Sequence, residues 1–317
     1  MYAIDAALLQ SASTRISRSD AADLVAAIKG RVLLHEPMSR HTTFGIGGPA
    51  DLFVEARSTE DVRAALLWLR ERGLPTKVIG NGSNLLVADR GLRGGVVKLA
   101  PPLGGIEFNS DGAIVGAGAK LARLLQAAAN LGWSGLESTV GIPGTVGGAI
   151  VMNAGTDTGT FGDLVTEVTF LDERGEVGVL RNSELKYSYR SSILPGTRLI
   201  VLQARVRLER ADPAEIRAKM ERLLAKRARR QPLRQRCAGS VFRNPELAPA
   251  GKLLDRAGGK GMHIGDAQVS LKHANFIINR GHATASDVRH LIEQLQELAL
   301  RVHGIWLEPE IEFAGDW

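Results

Sequence analysis

Residues 140–155 read Val-Gly-Ile-Pro-Gly-Thr-Val-Gly-Gly-Ala-Ile-Val-Met-Asn-Ala-Gly, and this stretch decides how the rest of the chain is interpreted. Its glycines are separated mostly by Val, Ile, Ala and Met, a composition typical of buried backbone and not of a flexible linker. Because glycine lacks a Cβ and tolerates positive φ, such a run can gather successive N–H groups into one concave surface. We call this stretch the second glycine loop, and it predicts a site for an anion such as a diphosphate.

A related stretch lies at residues 78–87, Val-Ile-Gly-Asn-Gly-Ser-Asn-Leu-Leu-Val, and we call it the first glycine loop. Its Gly80 and Gly82 match the start of the Rossmann G-x-G-x-x-G motif, but Leu85 stands where the third glycine belongs. Gly116-Ala-Gly118, which precedes a predicted helix, also lacks the third glycine. We therefore reject a Rossmann fold and predict that the two glycine loops clamp one dinucleotide.

Length and composition indicate a globular protein of several domains. The chain has 317 residues, of which 44% are hydrophobic and 23% charged, with a net charge of +6. Lys and Arg are spread along the sequence except in residues 226–236, where no aromatic residue is interleaved with them. A base-stacking platform is therefore not expected, and we predict no nucleic-acid partner. The basic run is either a solvated helix end or a patch that receives the phosphates of a nucleotide.

Charge and cysteine usage favour a cytoplasmic protein without membrane insertion. The first thirty residues carry charges throughout, and no stretch approaches eighteen uncharged apolar residues. The single cysteine, Cys237, cannot form an internal disulfide, which fits a reducing compartment. The seven histidines show no spacing typical of metal ligands, so no metal site is predicted.

Hydrophobic periodicity and capping signals predict a mixture of helices and strands. Predicted strands cover residues 52–56, 77–79, 165–171, 177–180, 199–208, 274–279 and 310–313. Predicted helices cover residues 59–73, 119–131, 213–230, 250–257 and 284–303, after a weak helical lead-in within residues 1–30. The breaks at Pro101-Pro102 and at residues 209–213 predict domains at residues 1–100, 101–210 and 211–317.

Three polar segments have either a structural or a chemical interpretation. Tyr187-Ser-Tyr-Arg-Ser-Ser192 is typical of a surface turn. Cys237-Ala-Gly-Ser-Val-Phe-Arg-Asn-Pro245 is either a simple turn before a strand or a turn that exposes the Ser240 hydroxyl beside backbone donors. Residues 307–313 alternate apolar and acidic side chains, as an edge strand does. The chain has no G-x-S-x-G elbow, so Ser240 is not expected to be a hydrolase nucleophile.

Taken together and in this order, these motifs closely resemble the UDP-N-acetylenolpyruvoylglucosamine reductase (MurB) family. The resemblance rests on residues 41–50, both glycine loops, Tyr189-Arg190, residues 239–245 and residues 307–310, and it extends from about residue 40 to about residue 313. It implies an α+β flavin-binding fold of the vanillyl-alcohol-oxidase and p-cresol-methylhydroxylase type. On this interpretation the first two domains are the FAD-binding subdomains, and residues 211–317 form the substrate-binding domain.

The resemblance also implies roles for individual residues. Arg190 matches the catalytic arginine, Ser240 the proton donor and Glu310 the catalytic glutamate. Tyr189 and Asn244 match neighbouring substrate-binding positions. The chain resembles the shorter type of the family, which lacks a tyrosine that covers the substrate. Arg230 and His273 are the candidates for substrate-binding residues that replace this tyrosine. The expected cofactor-binding residues all lie in the glycine loops: Gly80, Asn81, Gly82, Ser83, Asn84, Gly141, Ile142, Gly144, Thr145, Gly147 and Asn153.

The implied reaction is a two-step reduction in peptidoglycan precursor synthesis. NADPH reduces FAD, and the reduced flavin then passes hydride to UDP-N-acetylglucosamine enolpyruvate, giving UDP-N-acetylmuramate. We expect FAD to be non-covalent because neither glycine loop contains a histidine or cysteine that could tether it. We also expect a monomer. The alternatives are an FAD-dependent oxidase of the same fold that acts on a sugar or alcohol, and a basic nucleic-acid-binding protein without catalysis.

Overall fold

The computed structural model describes residues 16–317, which form eight α-helices and eighteen short strands. The helices are α1 (Ala22–Ala27), α2 (Thr59–Glu71), α3 (Leu121–Asn130), α4 (Val146–Val151), α5 (Asn182–Leu185), α6 (Pro213–Arg230), α7 (Ala250–Arg256) and α8 (Ala285–His303). The first nine strands are β1 (Arg31–Pro37), β2 (Pro49–Ala56), β3 (Thr76–Ile79), β4 (Leu85–Val87), β5 (Leu92–Leu99), β6 (Ile106–Asn109), β7 (Gly112–Gly116), β8 (Trp133–Ser134) and β9 (Gly155–Thr156). The remaining strands are β10 (Gly159–Thr160), β11 (Val165–Leu171), β12 (Val177–Arg181), β13 (Ile200–Arg207), β14 (Glu209–Arg210), β15 (His263–Ile264), β16 (Ala267–Val269), β17 (Ile277–Asn279) and β18 (Glu312–Ala314).

The first sheet has the order β1-β2-β5-β3, and β2, β5 and β3 run parallel. Helix α2 connects β2 to β3, as a parallel pair requires, and buries Val62 and Leu69 against the sheet. The Ser58 hydroxyl caps this helix by accepting a hydrogen bond of 3.1 Å from the Asp61 N–H. Because β3 leads directly into the first glycine loop, the sheet fixes where that loop begins.

The second sheet has the order β12-β11-β13-β7-β6, and all its neighbours are antiparallel. Helix α3 packs its apolar face, which includes Leu124, Leu125 and Ala128, into the same core as this sheet. Helix α4 contacts β13 and places the second glycine loop at one end of the sheet. The strands predicted at residues 165–171, 177–180 and 199–208 are present as β11, β12 and β13 of this sheet.

The last third of the chain packs α7 and α8 against the small sheet β15-β16-β17 around a separate apolar core. This core includes Phe242 and Leu254, and also Phe44 and Leu86 from the first third of the chain. The final strand, β18, pairs in parallel with β4, which directly follows Asn84 of the first glycine loop. The C-terminal segment therefore returns to the loop predicted to hold the cofactor.

Most predicted elements are present, with differences at glycine-rich and polar segments. Helix α4 lies inside the second glycine loop and was not predicted, because its two glycines disfavour a helix. The strand expected from residue 274 begins only at Ile277, because the backbone and amide of Asn275 bond to Val241 and Phe242 instead. Residues 1–15 of the predicted lead-in lie outside the described residues. The division at about residues 100 and 210 stays a prediction.

Within residues 16–317 there is no helix with both the length and the apolar character needed to cross a bilayer.

Candidate active site

The two glycine loops lie in direct contact. A Cβ on Gly80 would collide with the Thr145 hydroxyl, so only glycine allows this approach. The Asn81 side-chain amide donates a hydrogen bond of 2.6 Å to the Pro143 carbonyl and ties the two loops together. The predicted clamp of two loops is therefore present as a single structure.

The clamp presents backbone donors that have no protein acceptor. Within the described part of the chain, the N–H groups of Asn81, Gly82, Ser83 and Asn84 make no hydrogen bond, and neither do those of Gly141, Gly144 and Thr145. Buried backbone donors are almost always paired, and converging free N–H groups are suited to bind an anion. The loops thus have the donor set that a diphosphate requires.

The clamp opens into one large cleft of about 2180 Å³. Sites for a single small ligand typically measure about 300–1,000 Å³, so this cleft has room for two bound molecules. Its walls come from all three parts of the chain, and the basic end of α6 forms one side. The cleft can accommodate a dinucleotide at the glycine loops and a second nucleotide beyond them.

Arg190 lies at the tip of a two-residue turn on the cleft wall. The turn closes through two backbone hydrogen bonds between Ser188 and Ser191, at 3.0 and 3.2 Å. Arg190 adopts a φ of +52°, at the turn position where glycine or asparagine is usual. A non-glycine residue in this region costs roughly 1–2 kcal/mol. Such strain persists only where surrounding contacts enforce it, and it occurs often at functional sites.

The Arg190 side chain forms an ion pair with Glu310, in which the Arg190 Nε donates a hydrogen bond of 2.8 Å to the Glu310 Oε1. Burial raises the pKa of the Glu310 carboxyl, while the guanidinium groups of Arg190 and Arg243 act in the opposite direction. The Asn84 side-chain amide donates a hydrogen bond of 3.0 Å to the Glu310 carbonyl, which links the first glycine loop to Glu310. The sequence analysis had placed Asn84 among the cofactor-binding residues and Glu310 among the catalytic ones.

Ser240 lies beside this pair on the same wall. Its neighbour Gly239 has a φ of +78°, and a Cβ there would meet no atom within 4 Å, so the turn faces open space. The Val241 carbonyl accepts a 2.7 Å hydrogen bond from the Glu310 N–H, which fixes the two segments side by side. The structure therefore brings Arg190, Ser240 and Glu310 to one cleft although fifty or more residues separate them in sequence.

The four predicted substrate residues, Tyr189, Arg230, Asn244 and His273, also line the cleft. Tyr189 is 51% exposed and lies against the Arg190 guanidinium. The Asn244 side-chain oxygen accepts a hydrogen bond of 3.0 Å from the Ala250 N–H at the start of α7, and its amide N–H₂ donates to no group within residues 16–317. Burial, followed by the charge of Lys260, lowers the pKa of His273, so this imidazole is neutral at neutral pH.

Asn153 is the predicted cofactor residue that the structure does not bring to the cleft wall; the other ten line it. Its side chain is 4% exposed, donates 2.9 Å to the Ser188 carbonyl and accepts 3.0 Å from the Gly162 N–H. The Asn153 amide is thus occupied in holding the turn that carries Arg190.

Sequence reasoning assigned no individual role to Arg227 or Arg243. The half-buried Arg227 lines the cleft, and its guanidinium donates a hydrogen bond of 2.7 Å to the Val140 carbonyl at the start of the second glycine loop. Burial and the nearby charge of Arg190 lower its pKa. The only sequence feature that pointed to Arg227 was its position in the basic run of residues 226–236. Cys237, which directly follows that run, is half-buried at the cleft, and burial raises the pKa of its thiol.

Comparison with known proteins identifies similar chains over nearly the whole length. A family model described as the C-terminal domain of UDP-N-acetylenolpyruvoylglucosamine reductase matches residues 231–314, and an FAD binding domain model matches residues 49–181. The chain is 46% identical to the UDP-N-acetylenolpyruvoylglucosamine reductase of Moorella thermoacetica, over 93% of this chain and 97% of that protein. The corresponding Bacillus velezensis protein is 41% identical, over 90% and 95% respectively.

Among solved structures, UDP-N-acetylenolpyruvylglucosamine reductase from Thermus caldophilus is similar to this chain with a TM-score of 0.78. The two share 38% sequence identity, and the match covers 90% of this chain and 99% of the Thermus protein. Both the sequence and the fold therefore match over the regions that supply the two glycine loops and the Arg190–Glu310 pair.

Proposed function

The chain belongs to the UDP-N-acetylenolpyruvoylglucosamine reductase family, and from this premise we propose that it reduces UDP-N-acetylglucosamine enolpyruvate to UDP-N-acetylmuramate with NADPH and FAD. The product is a precursor of peptidoglycan. The observation that carries the proposal is that the Arg190–Glu310 pair and Ser240 share one cleft with the clamp of glycine loops. The chain has the flavin-binding α+β fold that the sequence predicted.

The clamp fits the diphosphate of FAD. Free N–H groups of both loops converge where Gly80 contacts Thr145, and Gly144 presents no Cβ to this space. Bound FAD supplies hydride transfer, first as acceptor from NADPH and then as donor to the alkene. The cofactor is non-covalent on this proposal, since neither glycine loop contains a histidine or cysteine.

The side chains at the opposite wall serve the enolpyruvyl group. Reduction places a hydride on one alkene carbon and a proton on the next, and the negative charge between these steps spreads onto the carboxylate. Arg190 binds this carboxylate through its planar guanidinium. Burial raises the pKa of the Glu310 carboxyl, and in its protonated form Glu310 shares the developing charge by donating a hydrogen bond.

Ser240 delivers the proton. A hydroxyl is a weak acid, but the carbanion that forms is strongly basic, and the cations of Arg190 and Arg227 line the same cleft. The basic end of α6, with Arg230, and the Asn244 amide face the remaining part of the cleft. We assign them to the sugar nucleotide, because guanidinium groups bind phosphate well.

The activity is tested by incubating the purified holoenzyme with NADPH and the enolpyruvyl substrate. We expect substrate-dependent consumption of NADPH and a product that is heavier by two hydrogen atoms in mass spectrometry. Oxygen consumption with a sugar or alcohol, and no turnover of the enolpyruvyl substrate, would instead establish an oxidase. We further propose a cytoplasmic monomer with the three domains given above.

A further inference from the structure

Arg243 contacts the turn that carries Arg190 from behind the cleft wall. Its Nη2 donates a hydrogen bond of 3.3 Å to the Arg190 carbonyl. Its own N–H donates 2.9 Å to the Glu308 carbonyl, two residues before Glu310. Arg243 is half-buried, and it is not among the residues that line the cleft. One side chain therefore connects the segments that supply both members of the ion pair.

The contact is made at the strained residue itself. Within the turn of residues 188–191 the Arg190 carbonyl accepts no hydrogen bond, and the φ of Arg190 is left-handed. The Arg243 guanidinium binds that carbonyl and thereby favours this conformation. The rest of the turn is held independently, by the Asn153 amide on the Ser188 carbonyl and by the Ser192 hydroxyl on the Val151 carbonyl.

Arg243 also affects Glu310 through its charge. The charged groups that face the buried Glu310 carboxyl are Arg190, from the turn, and Arg243, from the segment after Ser240. Both act against the effect of burial and hold the pKa of Glu310 lower than burial alone would. Removing the charge of Arg243 leaves Arg190, among residues 16–317, as the cation that opposes the effect of burial, so the pKa of Glu310 rises.

We propose that Arg243 is a positioning residue for the enolpyruvyl half-reaction: it holds the backbone of Arg190 so that the guanidinium meets Glu310 at the cleft wall. This inference rests on the function proposed above. It differs from that function in assigning a role to a residue that touches neither substrate nor cofactor. Because misplacement of a binding group by about 1 Å can cost about 100-fold in rate, the expected effect is on turnover and not on flavin binding.

The test compares Arg243→Met and Arg243→Lys with the matched control Arg301→Met, which removes an exposed arginine of α8 that lies outside the cleft. Flavin reduction by NADPH and flavin reoxidation by the enolpyruvyl substrate are followed separately across pH. In Arg243→Met we expect reoxidation to slow by about 10- to 100-fold, with reduction unchanged. In Arg243→Met the decline of the reoxidation rate with rising pH should occur at a higher pH than in the wild type, because the pKa of Glu310 rises. Lysine restores the charge and the pH profile, but only part of the rate, because it lacks the planar donor fork.

The outcomes separate this inference from the proposed function. If the wild-type protein does not turn over the enolpyruvyl substrate, the proposed function fails, and the role of Arg243 in it fails too. If the wild type is active and Arg243→Met matches Arg301→Met in rate and pH profile, only the inference is overturned. It is also overturned if both half-reactions of Arg243→Met fall together with flavin content, since Arg243 would then act as general structural support.

Discussion

The clamp of glycine loops and the Arg190–Glu310 pair line the same cleft, but they are built differently. The clamp uses backbone N–H groups that are neighbours in sequence, and its shape depends on residues without a Cβ. The pair uses side chains 120 residues apart, brought together by a strained turn and by the return of the C-terminal segment to β4. The clamp therefore depends on local conformation, and the pair depends on packing between distant segments.

This difference predicts two kinds of defect. Changes in the clamp alter flavin content and leave the side-chain chemistry intact in molecules that still hold FAD. Changes at the pair leave flavin bound and slow the step that uses the enolpyruvyl substrate.

Gly82→Val removes FAD altogether. Gly82 has a φ of +59°, and a Cβ there would collide with the His41 carbonyl, so the loop cannot keep its shape. Strain of this kind costs about 1–3 kcal/mol. Flavin absorbance per mole of protein measures the result, and Gly105→Val is the matched control because its Cβ meets open space at an ordinary φ. Full flavin occupancy in Gly82→Val would show that the first glycine loop does not hold the cofactor.

Ser240→Ala separates the two half-reactions. A positioned proton donor contributes about 10²- to 10⁴-fold in rate, so reoxidation by the enolpyruvyl substrate slows by that factor while reduction by NADPH continues. Stopped-flow absorbance of the flavin measures both steps, and Ser183→Ala, at an exposed serine of α5, is the control. Ser240→Cys should keep part of the activity, because a thiol can also donate a proton. Equal slowing of both steps, or of neither, would refute the assignment.

Glu310→Gln tests the protonated state of the carboxyl. In the wild type, reoxidation should fall as pH rises through the pKa of Glu310, which burial holds above its ordinary value. Glutamine cannot titrate, so the variant should be slower by about 100-fold and should lose this alkaline decline. The exposed Glu308→Gln provides the control. An unchanged decline in Glu310→Gln would assign the titration to another group.

Gly144→Ala gives the smallest effect and the most specific one. Gly144 has no positive φ, and its Cβ would lie 3.6 Å from Leu121 and 3.7 Å from the Ser83 hydroxyl, which the protein tolerates. The added methyl conflicts only with a bound diphosphate, and we expect FAD to bind about tenfold more weakly, a change of about 1.4 kcal/mol. Fluorescence titration of apo protein measures the affinity, and the melting temperature without FAD should match that of Gly105→Ala. Unchanged affinity would place the diphosphate elsewhere.

The sequence was most informative where structure is locally determined. Helix α6 follows the predicted limits at Pro213 and Arg230, because proline and an acidic cap begin it and Pro232 ends it. Strand β11 also has its predicted limits, and its buried apolar residues Val165, Val168 and Leu171 belong to one core. Both glycine loops were recognisable for the same reason, because glycine marks backbone that something approaches closely.

The remainder of the site depends on long-range contacts that no local pattern encodes. No local pattern indicated that Arg190 adopts a positive φ, since glycine or asparagine normally marks that turn position. The roles of Asn153 and Arg243 in holding the turn follow from partners 35 and 53 residues away. Roles for Arg190, Ser240 and Glu310 came from the family resemblance, and the structure adds their proximity.

The measurement that tests the central claim most directly is anaerobic mixing of the wild-type protein with NADPH and then with the enolpyruvyl substrate. If one cleft holds the flavin and serves both steps in turn, visible flavin absorbance should bleach with NADPH and recover when the substrate is added without oxygen. Flavin that does not bleach, or that recovers only when oxygen is admitted, would contradict the account.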